Sequence, residues 1–187
     1  AAPAGTQANP TVIMVRAGTY NCECTGILNK GVALTKNWFT VRAETPGNKP
    51  IFRHTMPMGN PLPDVNHGNL IGIPNGTTGI TIDGLQFERW SGAAVIRAGT
   101  GSTAQPLSSN LTIRNCVFYW TRGQGINIYG SNSTPEARFA QGVVVENNRV
   151  VCASMLSLMG TVSAAPDNAS GAIRVGTCFG AIVQNNL

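Results

Sequence analysis

Gly79-Ile-Thr-Ile-Asp-Gly-Leu-Gln-Phe87, Asn110-Leu-Thr-Ile-Arg-Asn-Cys-Val-Phe118, Gly142-Val-Val-Val-Glu-Asn-Asn-Arg-Val150 and Gly180-Ala-Ile-Val-Gln-Asn-Asn-Leu187 align without gaps, their starts 31, 32 and 38 residues apart. Such self-similarity marks a repeat architecture. Each segment alternates with period two. Ile80 and Ile82, Leu111 and Ile113, and Val143 and Val145 share one face, while Thr81, Thr112 and Val144 share the other. That is the pattern of a short strand with one buried side. After it stand Gly84, Asn115, Asn147 or Asn185, the residue types that tolerate a left-handed backbone, so a sharp bend is predicted at this point of every repeat. A second short strand follows, carrying Leu85 and Phe87, then Cys116 and Phe118, then Val150.

Outward from these segments a third element recurs as Val15-Arg-Ala-Gly-Thr19, Ile96-Arg-Ala-Gly-Thr100, Ile128-Tyr-Gly-Ser131 and Ile173-Arg-Val-Gly-Thr177. Three strands per repeat cannot bury an apolar face alone. Successive repeats must stack as coils, each strand pairing in parallel with its counterpart ~4.8 Å away. A β-sandwich would need hairpin signals, and Asn-Gly occurs once, at Asn75-Gly76. The expected fold is therefore all-β: a right-handed parallel β-helix, a solenoid of three-stranded coils. It forms a single domain over 1–187, with external loops at about 55–69, 131–141 and 153–170.

These residues resemble the pectin-lyase-like β-helix superfamily over nearly the whole chain. Asn115, Asn147 and Asn185 look like its asparagine ladder at the bend between second and third sheets. The stretches Val12 to Tyr20 and Phe39 to Gly47 are similar to the way such domains enter their first coils. The start matches the point where family members leave an N-terminal capping helix, and Leu187 falls in mid-coil, so a truncated segment of a longer protein is expected, with more protein or another subunit beyond one or both ends.

The chain has 187 residues with 22 glycines and 11 prolines, only 11% of them charged, and a formal net charge of +5. Its apolar content, 42%, and its lack of long charge runs disfavour disorder. Ten of the 13 basic residues are arginines, whose planar fork suits carboxylates and sulfates, although +5 also serves simply as a solubility charge. No basic cluster of the nucleic-acid type is present, and no signal peptide or membrane-inserting span is visible. Cys22, Cys24, Cys116, Cys152 and Cys178 lack zinc-site spacing, so disulfides in an oxidising compartment are expected, with one cysteine left over. Sequons begin at Asn75, Asn110, Asn132 and Asn168, against about three expected by chance from this composition. A secreted or cell-surface glycoprotein fits these features.

In the family that this chain resembles, polysaccharide-active members work along the first sheet. By the alignment above, Arg97, Tyr129 and Arg174 share one register there, with Arg16 at the matching place in the opening coil. Neighbouring coils are ~5 Å apart, close to the advance of one sugar ring, so such a row suits successive carboxylates or sulfates of an anionic glycan. A second candidate group, Arg89 with Trp90 and Trp120 with Arg122, places aromatics beside guanidinium for stacking on sugars. Plain surface arginines and core tryptophans would give the same sequence. Asp83, Arg114 and Glu146 form a charged column that sets register, Thr40, Thr81 and Thr112 form a column of ordinary strand residues, and His54 reads as structural, near the third sheet.

Glycoside hydrolysis normally needs two carboxylates about 5 to 9.5 Å apart. The eight acids are scattered, and no two share the first-sheet register in adjacent coils. The resemblance implies acidic calcium ligands for a pectate lyase, and these are missing. A metal-independent lyase leaves Arg97, Arg122 or Arg174 as the base. No cofactor or metal is expected. The leading expectation is an extracellular structural or recognition module whose partner is a polysaccharide or other glycan. A polysaccharide lyase or hydrolase of the same fold is the alternative, and an assembly or filament subunit the third.

Overall fold

A computed structural model describes residues 2–22, 31–54, 69–90, 94–99, 106–121, 123–130, 134–151 and 172–187. The protein is all-β, and its strands pair in parallel. Parallel neighbours need a crossover between them, which here is the rest of the coil, because the chain visits three sheets in turn before returning. The second sheet runs through β1 (Thr11–Val15), β4 (Phe39–Ala43), β7 (Ile80–Asp83), β10 (Thr112–Arg114), β14 (Val144–Glu146) and β18 (Ile182–Gln184). The third comprises β2 (Thr19–Cys22), β5 (Ile51–His54), β8 (Gln86–Glu88), β11 (Val117–Tyr119) and β15 (Arg149–Val151). The first comprises β3 (Val32–Ala33), β6 (Asn69–Ile73), β9 (Ala94–Ala98), β12 (Gln124–Ile128) and β16 (Ile173–Val175).

Equivalent side chains pile up in columns between these sheets. Ile13, Val41, Ile82, Ile113, Val145 and Val183 are mutual partners along the second sheet. Ile82, Ile113 and Val145 are fully buried. On the third sheet the rings of Tyr20, Phe52, Phe87 and Phe118 stack with centroids 5.3, 5.8 and 5.3 Å apart, a repeat set by the strand spacing. Ile71, Ile96, Ile126 and Ile173 form the matching column of the first sheet. His54 lies on the third sheet, buried, with its ring edge-on to Trp90 at 5.3 Å.

The bends carry the expected residues in the expected conformation. Gly84 has φ +74°, and Asn115, Asn147 and Asn185 have φ 54°, 54° and 52°. Their side chains, however, are not the buried amide ladder. Asn115, Asn147 and Asn185 are exposed, and the ladder runs one residue later, through Asn148 and Asn186. The Cys116 N–H donates to Asn148 Oδ1 (3.0 Å), while Asn148 Nδ2 donates to the Ile113 carbonyl (2.9 Å) and to Asn186 Oδ1 (3.0 Å). Asn186 Nδ2 donates in turn to the Val145 carbonyl, 2.9 Å away. Two roles are thus divided between adjacent residues: the first makes the bend and the second satisfies the buried backbone.

Three further expectations are corrected. Val15-Arg-Ala-Gly-Thr19 does not belong to the first sheet, because Val15 pairs with Ala43 at the end of the second sheet. Of the loop expected at about 55–69 only Asn69 is described, and it begins β6; of that at 131–141, residues 134–141 contain a 3-10 turn (Glu136–Arg138) and β13 (Ala140–Gln141), which pairs with β17 (Cys178–Phe179); residues 55–68, 131–133 and 153–170 lie outside the described residues. Cys116 and Cys178 are thiols rather than half-cystines. Cys116 donates to the Arg114 carbonyl at 3.2 Å, and burial pushes its pKa from the ordinary 9.0 up to about 12. Cys24 and Cys152 lie outside the described residues.

Candidate functional site

On the first sheet Ile96 and Ala98 point inward, so the residue between them points out. Arg97 occupies that position in β9, Asn127 in β12 and Arg174 in β16, paired Arg97 to Asn127 to Arg174, with Gly72 ahead of them in β6. Tyr129 is therefore not a member of the row, contrary to the expectation from sequence, and lies two residues beyond Asn127. Arg16 is not a member either. It sits past the end of β1, where its Nε is 3.8 Å from Glu44 Oε1.

Although displaced from the register, Tyr129 does reach the row. The Arg174 guanidinium carbon lies over the ring of Tyr129, 3.8 Å from its centre, a cation–π contact. Gly176 permits this, because a Cβ there would come within 2.9 Å of the Tyr129 ring. Between the two arginines, Asn127 Oδ1 is buried and accepts no hydrogen bond among the described residues. Nothing in the sequence pattern singled out Asn127. The row thus places guanidinium, amide and guanidinium at successive coil steps of ~4.8 Å: two forked donors flanking an amide.

The second group divides. Trp90 is 2% exposed and packs on His54, so it is core and not a sugar platform. Trp120 is 38% exposed, with its ring 5.9 Å from that of Tyr119, itself 41% exposed. The tryptophans differ because they are not equivalent. Phe87 pairs with Phe118, which aligns Arg89 with Trp120 and Trp90 with Thr121. Arg89 and Trp120 both take the left-handed conformation, φ 59° and 54°, and both are on the outside. Arg89, Tyr119 and Trp120 therefore form one exposed corner beside the first sheet. Arg122 lies outside the described residues.

The carboxylates in the described residues are held elsewhere. Asp83 Oδ2 accepts from Arg114 Nε at 3.0 Å, Glu88 Oε2 from Arg53 Nε at 2.7 Å, and Glu146 Oε2 from Gln184 Nε2 at 2.9 Å. Among the described residues no three of His, Cys, Asp and Glu come together as a metal site would require, and no helix is long and apolar enough to cross a membrane. Of the sequons, Asn75 is half-buried; Asn110 is exposed with its Nδ2 donating to Thr78 Oγ1 at 3.0 Å; Asn132 and Asn168 lie outside the described residues. No protein-family model and no curated protein matches the chain.

Proposed function

We propose that the protein is a right-handed parallel β-helix of the pectin-lyase-like kind, acting as a secreted or cell-surface recognition module that binds an anionic glycan along its first sheet. The single observation carrying this reading is the Arg97–Asn127–Arg174 row, one residue per coil, with Arg174 laid on Tyr129. A polymer whose units advance by about one coil spacing would meet an identical donor at alternate steps. The exposed Arg89, Tyr119 and Trp120 corner adds aromatic surface for a sugar face beside the row. The charge argues for a partner bearing carboxylates or sulfates, since each guanidinium can bind such a group through two parallel hydrogen bonds.

The test is affinity for polygalacturonate and for a sulfated polysaccharide, measured at low and high salt, for the parent protein and for Arg97→Ala/Arg174→Ala. The double variant should bind at least about tenfold more weakly, the scale of one lost charge-assisted hydrogen bond, and its binding should depend less on salt. Equal affinity of parent and variant overturns the reading. The same incubations detect catalysis: unsaturated ends, or new reducing ends, would replace recognition by cleavage.

A further inference from the structure

The bend between second and third sheets holds a concavity that the glycan reading does not use. In the coils of β7, β10 and β14 this bend is two residues long, Gly84-Leu85, Asn115-Cys116 and Asn147-Asn148. In the coil of β4 and β5 it is the seven-residue loop Glu44 to Pro50. The coil beneath that loop breaks the column of bend asparagines, because position 84 is glycine. A long loop above a missing side chain leaves a cavity of about 460 Å³, bordered by Arg42, Lys49, Asp83, Gly84 and Asn115. Lys49 passes over Gly84 and donates to the Asn115 carbonyl two coils away, at 2.5 Å.

The cations of this cavity are less committed than its acids. Its two carboxylates are already engaged: Glu44 by Arg16 at 3.8 Å, and Asp83 by Arg114 at 3.0 Å and by Asn115 Nδ2 at 2.8 Å. Arg42 and Lys49 enter no ion pair among the described residues, and Arg42 Nη2 donates to the Met14 sulfur at 4.0 Å. Among the described residues the lining thus holds two cations outside any ion pair, Arg42 and Lys49, and two acids, Glu44 and Asp83, each paired with an arginine, Arg16 or Arg114, that does not itself line the cavity. We infer that this bend is a binding site for a small oxyanion, a carboxylate or sulfate group held between Arg42 and Lys49 over Gly84. The volume lies in the range of small-molecule pockets, enough for the free group or for one carried on a single sugar ring. The site is independent of the first-sheet row.

Gly84→Asn is the decisive variant. Asparagine adopts the same left-handed bend at Asn115, Asn147 and Asn185, so the substitution completes the column and fills the cavity. The added Cβ would sit 3.3 Å from that of Ala43, which a shift of a few tenths of an ångström relieves. Titration with sodium sulfate, and separately with sodium acetate, is followed by amide resonances at constant ionic strength. Saturable shifts clustered at Lys49, Gly84 and Asn115 are expected with one or both anions; sulfate alone or acetate alone then identifies the group preferred. Gly84→Asn and Lys49→Gln should each weaken binding by at least about tenfold while leaving the thermal transition cooperative. Linear drift without saturation, or equal binding by the parent and both folded variants, overturns the inference. Arg97→Ala/Arg174→Ala should leave the titration unchanged, so failure here and failure of the glycan reading are separately visible.

Discussion

Adjacent residues at each bend do different jobs, and Asn147 and Asn148 show how sharply the two are separated. Asn147 is exposed at φ 54°, so what matters there is backbone freedom. Asn148 is 1% exposed, and its amide serves the Cys116 N–H and the Ile113 carbonyl. Asn147→Gly should change stability by no more than about 0.5 kcal/mol, since glycine takes the same conformation without strain. Asn148→Gly should cost about 2 to 4 kcal/mol, because two buried backbone groups lose their partners. Urea midpoints measure both, and equal effects would refute the division of labour. The neighbouring Cys116 adds a pH dependence. Its folded pKa of about 12 stands above the ordinary 9.0, so the buried thiol neither gains nor loses anything below pH 9. Stability is then lost as pH rises from 9 towards 12, because the unfolded chain gives up that proton more readily. Cys116→Val should flatten this alkaline loss in urea melts, and an unchanged slope would show that other groups cause it.

At the scale of elements, sequence reading succeeded where chemistry breaks the period and failed where period alone was available. The segments at Gly79, Asn110, Gly142 and Gly180 carry a left-handed residue at a fixed place, and they pair in the register that this place dictates: Ile82, Ile113, Val145 and Val183. The β12 strand offers no such anchor. Gln124-Gly-Ile-Asn-Ile128 has isoleucines at two alternate positions, and a slide by two residues keeps every side chain on its proper face. Matching Ile128 rather than Ile126 to Ile96 put Tyr129 in the place of Asn127. The error at Arg16 has a different source, since Val-Arg-Ala-Gly-Thr and Ile-Arg-Ala-Gly-Thr are nearly the same words at two different corners of the coil. The buried ladder was misplaced by one because the column Asn115, Asn147, Asn185 is more regular in sequence than Asn148, Asn186, whose predecessors are Leu85 and Cys116. Those two are buried and apolar, so the column carries no side-chain amide at their coils.

For the whole molecule, contacts between coils are nearest-neighbour contacts, so stability should be graded along the axis. The second-sheet core column makes the point with a single residue type. Ile82 lies between Val41 and Ile113 and is 0% exposed, whereas Ile13, among the described residues, has Val41 as its one strand-pair partner and is 40% exposed. Removing the same three carbons should therefore have unequal consequences. Ile82→Ala leaves a cavity walled on both sides and should cost about 2 to 5 kcal/mol. Ile13→Ala uncovers surface that water already reaches and should cost about 1 kcal/mol or less. Hydrogen exchange reads the same gradient without mutation. Amides of β7 and β10 should exchange only through global opening, and those of β1 and β18 through local fraying at much smaller free energy. Ile82→Ala should then accelerate exchange in the coils on both sides of it, because each has lost a neighbour, while Ile13→Ala should accelerate β1 and leave β10 untouched. A uniform exchange rate along the six strands, or equal losses in the two variants, would mean that the coils unfold as one unit and that their stacking is not additive.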